Sequence, residues 1–291
     1  MQNLFLKNSF ANSGLGVKLV LLLFVALFCT LLAGSAVAVA GQFNLIAMSG
    51  NNYLLAVQSI SAFFIFLLPA FIVAYLCSDN TGEFLFLNKR SNFFEIVAVI
   101  VILAVGTPFI NLLTFLNELL AQIPFFDNLF TAAEERQRAL AEQMIGANFW
   151  GAIAVIGLLA AVAEELMFRG AVLRLLAAKM NVNVAVWLSA AIFSLIHLQF
   201  FGFVPRMVLG AYLAYIAFCS KNIRLSVWAH FFNNAMFIIV YYFYKNETEN
   251  IFSYTQNSGI GMWIAGIASG VLAVAGTVYL TKYWKSAVVS G

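Results

Sequence analysis

The chain has 291 residues, 63% of them hydrophobic and only 9% charged, with a mean hydropathy of +0.94. Soluble globular proteins carry about a quarter charged residues, so this composition excludes one and predicts an all-α, polytopic membrane protein. The net charge of +3, with no basic run, offers nucleic acid nothing to bind.

Taken in order, the apolar runs predict about eight transmembrane helices. The first covers Val17 to Ala40 and is long enough to span. A rival reading makes it a cleaved signal peptide, with Lys7 and Lys18 as the basic region and Ala-Val-Ala ending at Ala40 as the cleavage site. The second span covers Tyr53 to Cys77. The third covers Phe93 to Ala121 and is interrupted by Gly106 and Pro108. Between Pro124 and Asn148 lies the stretch richest in charge, with Asp127, Glu134, Glu135, Arg136, Arg138 and Glu142. Its apolar positions (Leu129, Phe130, Ala133, Leu140, Met144) suit a helix lying at the membrane surface.

The fourth span is Phe149 to Ala178, and the fifth, Asn181 to Leu198, is short. Val204 to Cys219, Leu225 to Tyr244 and Gly261 to Leu280 complete the set, with a polar loop at Asn246 to Gly259. The chain divides into an N-terminal block, 1–148, a core of four helices, 149–244, and a C-terminal block, 245–291. Cys29, Cys77 and Cys219 lie in separate apolar runs and read as small core residues. With eight spans, Arg136, Arg138, Arg206 and Lys245 fall on one side and ten of the other Lys and Arg residues on the opposite one. The positive-inside rule then places both termini in the cytoplasm of a bacterial plasma membrane.

The polar residues inside these runs carry the function. Glu164, Glu165 and Arg169 lie in an otherwise apolar stretch, Ala160 to Gly170. Each charge costs about 2.5–3.5 kcal/mol at bilayer depth even on lenient scales, so they must satisfy one another. Glu165 and Arg169 are four apart, acid before base, on one helix face. Glu164 is rotated by about 100° and is left without that partner. The chain's two histidines, His197 and His230, are both intramembrane, and Asn234 follows His230 by one turn. Intramembrane ionisable residues are functional candidates by default.

Three chemistries fit this set. Glutamate and histidine can deprotonate water while a second histidine and an asparagine stabilise an oxyanion. Glu164, His197 and His230 can hold a divalent metal such as zinc. The same groups can relay protons in a transporter. One geometric demand follows: the fifth span runs outward to His197 near its end, whereas His230 lies near the inner start of the seventh. They meet only if the fifth span stops short and forms a hairpin with the sixth.

In sequence order, EELMFR reads as EExxxR, FSLIH as FxxxH and HFFNN as HxxxN, each on a separate helix. These motifs resemble the CPBP family, the CAAX prenyl proteases and bacteriocin-processing enzymes also called Abi proteins, over Phe149 to Tyr244. The resemblance implies an intramembrane endopeptidase. In it Glu164 and His197 activate water, His230 and Asn234 form the oxyanion hole, and Glu165 and Arg169 support them. The implied substrate is a membrane-associated peptide or protein, prenylated or bacteriocin-like, reached within the lipid bilayer. His230 lies six residues after Arg224, about 9 Å of helix, so the site is expected to open to the cytoplasm. A proton-relaying transporter and a non-catalytic immunity or binding protein are the alternatives.

Overall fold

A chain surrounded by hydrocarbon has to pair its own backbone groups, and a helix does so within each segment. The computed structural model describes residues 6–43, 53–121, 148–199, 202–243 and 259–289, and these residues are helical with no strands. The surface helix expected over 124–148 and the loop over 246–259 lie essentially outside them. The principal helices are α1 (Leu15–Gln42), α2 (Tyr53–Cys77), α3 (Phe93–Ala121), α4 (Phe149–Ala177), α5 (Val182–Leu195), α6 (Phe203–Ser220), α7 (Ile223–Phe243) and α8 (Ile260–Val289).

Seven of these described helices are long and apolar enough to cross a bilayer, and α5 is the exception. Its 14 residues reach about 21 Å, short of a hydrocarbon core of about 30 Å. The expected short fifth span is therefore found as a hairpin limb, packed along α6. Ser194 Oγ donates to the Phe203 carbonyl at 2.7 Å and closes the hairpin.

Two apolar clusters organise the bundle. One surrounds α4 with residues of α1, α2, α5 and α6, including Leu22, Val73, Phe168, Ala190, Phe193 and Ala211. The other joins α3, α6, α7 and α8 through Val99, Leu213, Ile216, Leu225 and Trp284. Lipid offers no hydrophobic drive between helices, so close packing must supply the attraction. On α8, Gly266 and Gly270 supply it: a Cβ at either would come within 2.7 and 2.8 Å of Leu112 and Phe109 on α3.

Sequence breakers are absorbed locally. Helix α3 runs through Gly106 and Pro108 without a break, and Ser269 on α8 accepts the Phe109 amide at 2.8 Å. At the start of α3, Asn92 and Glu95 form a capping pair. Glu95 also accepts Trp284 Nε1 of α8 at 2.7 Å, fixing the two helix ends together.

Candidate active site

Helix α4 changes its winding around the two glutamates. Ile153–Leu159 and Leu166–Val172 are π-helical, and Ala160–Glu165 between them is α-helical. Such wider turns are frequent at functional sites. Nothing in the residue types announces them.

Glu165 points into the bundle and is fully buried. Arg169 Nη1 lies 2.8 Å from Glu165 Oε1. Its N–H is not aimed at that oxygen, and Nη1 makes no directional hydrogen bond, so the contact is Coulombic. Arg169 Nη2 donates to the Gly210 carbonyl of α6 at 3.1 Å, and the guanidinium stands 4.4 Å above the Phe193 ring. Gly210 eases this approach: a Cβ there would meet Phe193 at 3.1 Å and Ala190 at 3.3 Å, and both would have to give way. Without side-chain bulk, α6 approaches closely enough for its backbone to reach the arginine.

His230 joins the same carboxylate. Its Nδ1 lies 2.8 Å from Glu165 Oε1, which therefore serves both the arginine and the imidazole. The other ring nitrogen, Nε2, faces Glu164 Oε2 at 3.7 Å, beyond direct hydrogen-bond length. Glu164 keeps 15% of its side chain exposed, against 0% for Glu165. Two neighbouring glutamates thus occupy different settings, one locked and one open.

His197 follows the end of α5, where Nδ1 contacts the Phe193 carbonyl at 2.8 Å. A carbonyl only accepts, so this contact assigns the proton to Nδ1 and leaves a lone pair on Nε2. Phe193 stands edge-on to both imidazoles, with centroids 5.1 Å from His197 and 5.9 Å from His230. It is the spacer that sets both rings. His197 makes no hydrogen bond or ion pair with Glu164 among the described contacts. Asn234 Nδ2 donates to the Ile156 carbonyl of α4 at 3.3 Å, which ties α7 to α4 and leaves its second N–H unassigned.

The motif residues thus come from α4, the α5 terminus and α7. Glu164, Glu165, Arg169 and His230 form one connected group, and Phe193 links His197 to it. Among the described residues no three of His, Cys, Asp and Glu are placed together to hold an ion. Sequence reasoning missed Arg206, which the charge count set on the outer side. It is partly buried and held by Gln199, on the turn that carries His197.

Residues 146–236 match the family model described as Rce1-like, type II CAAX prenyl endopeptidase. All three motifs fall inside that stretch. No curated protein and no solved structure matches the chain.

Proposed function

From a segment of this Rce1-like kind, consistent with the CPBP resemblance, we infer a CAAX-type intramembrane endopeptidase in which Glu164 activates the attacking water. The observation that carries this is the division between the glutamates. Glu165 already serves Arg169 and His230, whereas Glu164 has partial exposure and no bonded partner closer than His230 at 3.7 Å.

In this reading water enters beside Glu164, and Nε2 of His197 helps to orient it. Glu164 takes its proton as the oxygen attacks the scissile carbonyl carbon. Charge then develops on the carbonyl oxygen, where His230 and the free N–H of Asn234 donate to it. With Nδ1–H donated to Glu165, the His230 ring offers Nε2–H as an imidazolium, a charge that Glu165 balances. As the C–N bond breaks, protonated Glu164 returns its proton to the departing amine.

The family description favours a prenylated peptide as substrate over a bacteriocin-like one. The direct test uses the protein reconstituted in liposomes with a peptide S-farnesylated on a cysteine four residues from its C-terminus. Mass spectrometry should find a cleaved product that grows with time. An intact peptide alongside folded protein overturns the reading. A proton-relaying transporter would instead move protons without peptide cleavage.

The membrane orientation is tested separately. Cysteines introduced one at a time at Lys89 and Lys282, on a cysteine-free background, should react with an impermeant thiol reagent only from the cytoplasmic face. Reaction from the outer face alone overturns the assignment of the termini and of a cytoplasmic opening.

A further inference from the structure

Arg206 is the one cation of the α5–α6 hairpin, and no motif accounts for it. It lies in the first turn of α6, partly buried, within a segment apolar enough to cross the membrane. A charge held in such a place without a partner is costly. Among the described residues no carboxylate lies within ion-pair distance of it. Its guanidinium is instead held by Gln199: Nη2 donates to Oε1 at 2.7 Å and Nη1 to the backbone carbonyl at 3.4 Å.

Gly202 leaves room for this group. A Cβ at Gly202 would come within 2.9 Å of Arg206 Nη2 and would displace it. Gln199 is neutral, so it positions the guanidinium without cancelling its charge. The hairpin turn that carries His197 also carries Gln199, so the residue that holds Arg206 lies two positions from a motif histidine. A structural arginine would sit in an ion pair, as Arg169 does. Arg206 has a neutral hydrogen-bonding partner and, among the described residues, no carboxylate within ion-pair distance.

We propose that Arg206 receives the free C-terminal carboxylate of the peptide substrate, on the leaving-group side of the scissile bond. This rests on the endopeptidase reading of the same site. A planar guanidinium suits a carboxylate, which it can meet through two parallel N–H donors. An anion bound on the turn that carries His197 belongs to the molecule being cut. The enzyme then selects a peptide bond by its distance from the chain end, and Gln199 holds the guanidinium in register.

The test compares two S-farnesylated peptides of one sequence, one ending in the free acid and one in the amide. Wild type should cleave the acid with a kcat/KM at least tenfold above the amide, mainly through KM. In Arg206→Gln the acid-to-amide ratio should collapse to about one, and Arg206→Lys should restore part of it. This ratio is insensitive to general loss of fold or of active enzyme. Equal cleavage of acid and amide by wild type overturns the proposal alone, as does an unchanged preference in Arg206→Gln. Wild type that cleaves neither peptide overturns the endopeptidase reading, and this proposal with it.

Discussion

Glu164→Gln is expected to lower hydrolysis of the farnesylated peptide by about 10²–10⁴-fold, the usual range for losing a general base. The thermal transition of the detergent-solubilised protein should stay where it is in wild type. Glutamine keeps the volume of glutamate and can still hydrogen-bond, but its amide cannot accept the proton of an attacking water. Glu164 is also the glutamate without a close ionic partner, since His230 Nε2 stands 3.7 Å away. Equal rates for wild type and Glu164→Gln would remove Glu164 from the chemistry. A collapse in stability would make it structural instead.

The neighbouring substitution is expected to do the opposite. Glu165→Ala removes one carboxylate oxygen that serves Arg169 at 2.8 Å and His230 at 2.8 Å. It leaves an arginine with 1% exposure and no counter-charge beside it. Breaking a buried pair on one side costs about 3–5 kcal/mol, so yield and thermal stability should fall sharply. Replacing both partners, Glu165→Met with Arg169→Met, should be less damaging than Glu165→Ala, because no buried charge is orphaned. The comparison is read from unfolding transitions of the three variants in one detergent. Glu165→Ala as stable as wild type would show that the pair does not hold α4 in place.

Much of this architecture could be read in the residues themselves. Eight apolar runs became eight helices with ends moved by a few residues, because a lipid-exposed backbone has few alternatives to a helix. The Glu165–Arg169 pair followed from helix periodicity, and the need for a short fifth span followed from the opposed positions of His197 and His230. Other features were not legible. The π-helical turns that bracket Glu164 arise from packing against neighbouring helices, and their backbone angles leave no mark on residue type. The sharing of Glu165 by His230 depends on how α7 crosses α4, which no local spacing encodes. Arg206 was passed over because a charge count sees only which end of a span a residue is near. A hairpin that stops short turns such an end into an interior.

The 14-residue length of α5 has a consequence for the surrounding lipid. Val184, Trp187, Leu188 and Leu195 are exposed on its surface, so acyl chains must meet a hydrophobic limb shorter than themselves. The bilayer accommodates such a mismatch by thinning locally, at a cost of a fraction of a kcal/mol per ångström. Thinning there would bring headgroups and their hydration closer to the turn that carries His197. Under the endopeptidase reading, cleavage of the farnesylated peptide should rise in shorter-chain phosphatidylcholine and fall in longer-chain membranes. The supply of water to a hydrolytic centre becomes a property of the protein and its bilayer together.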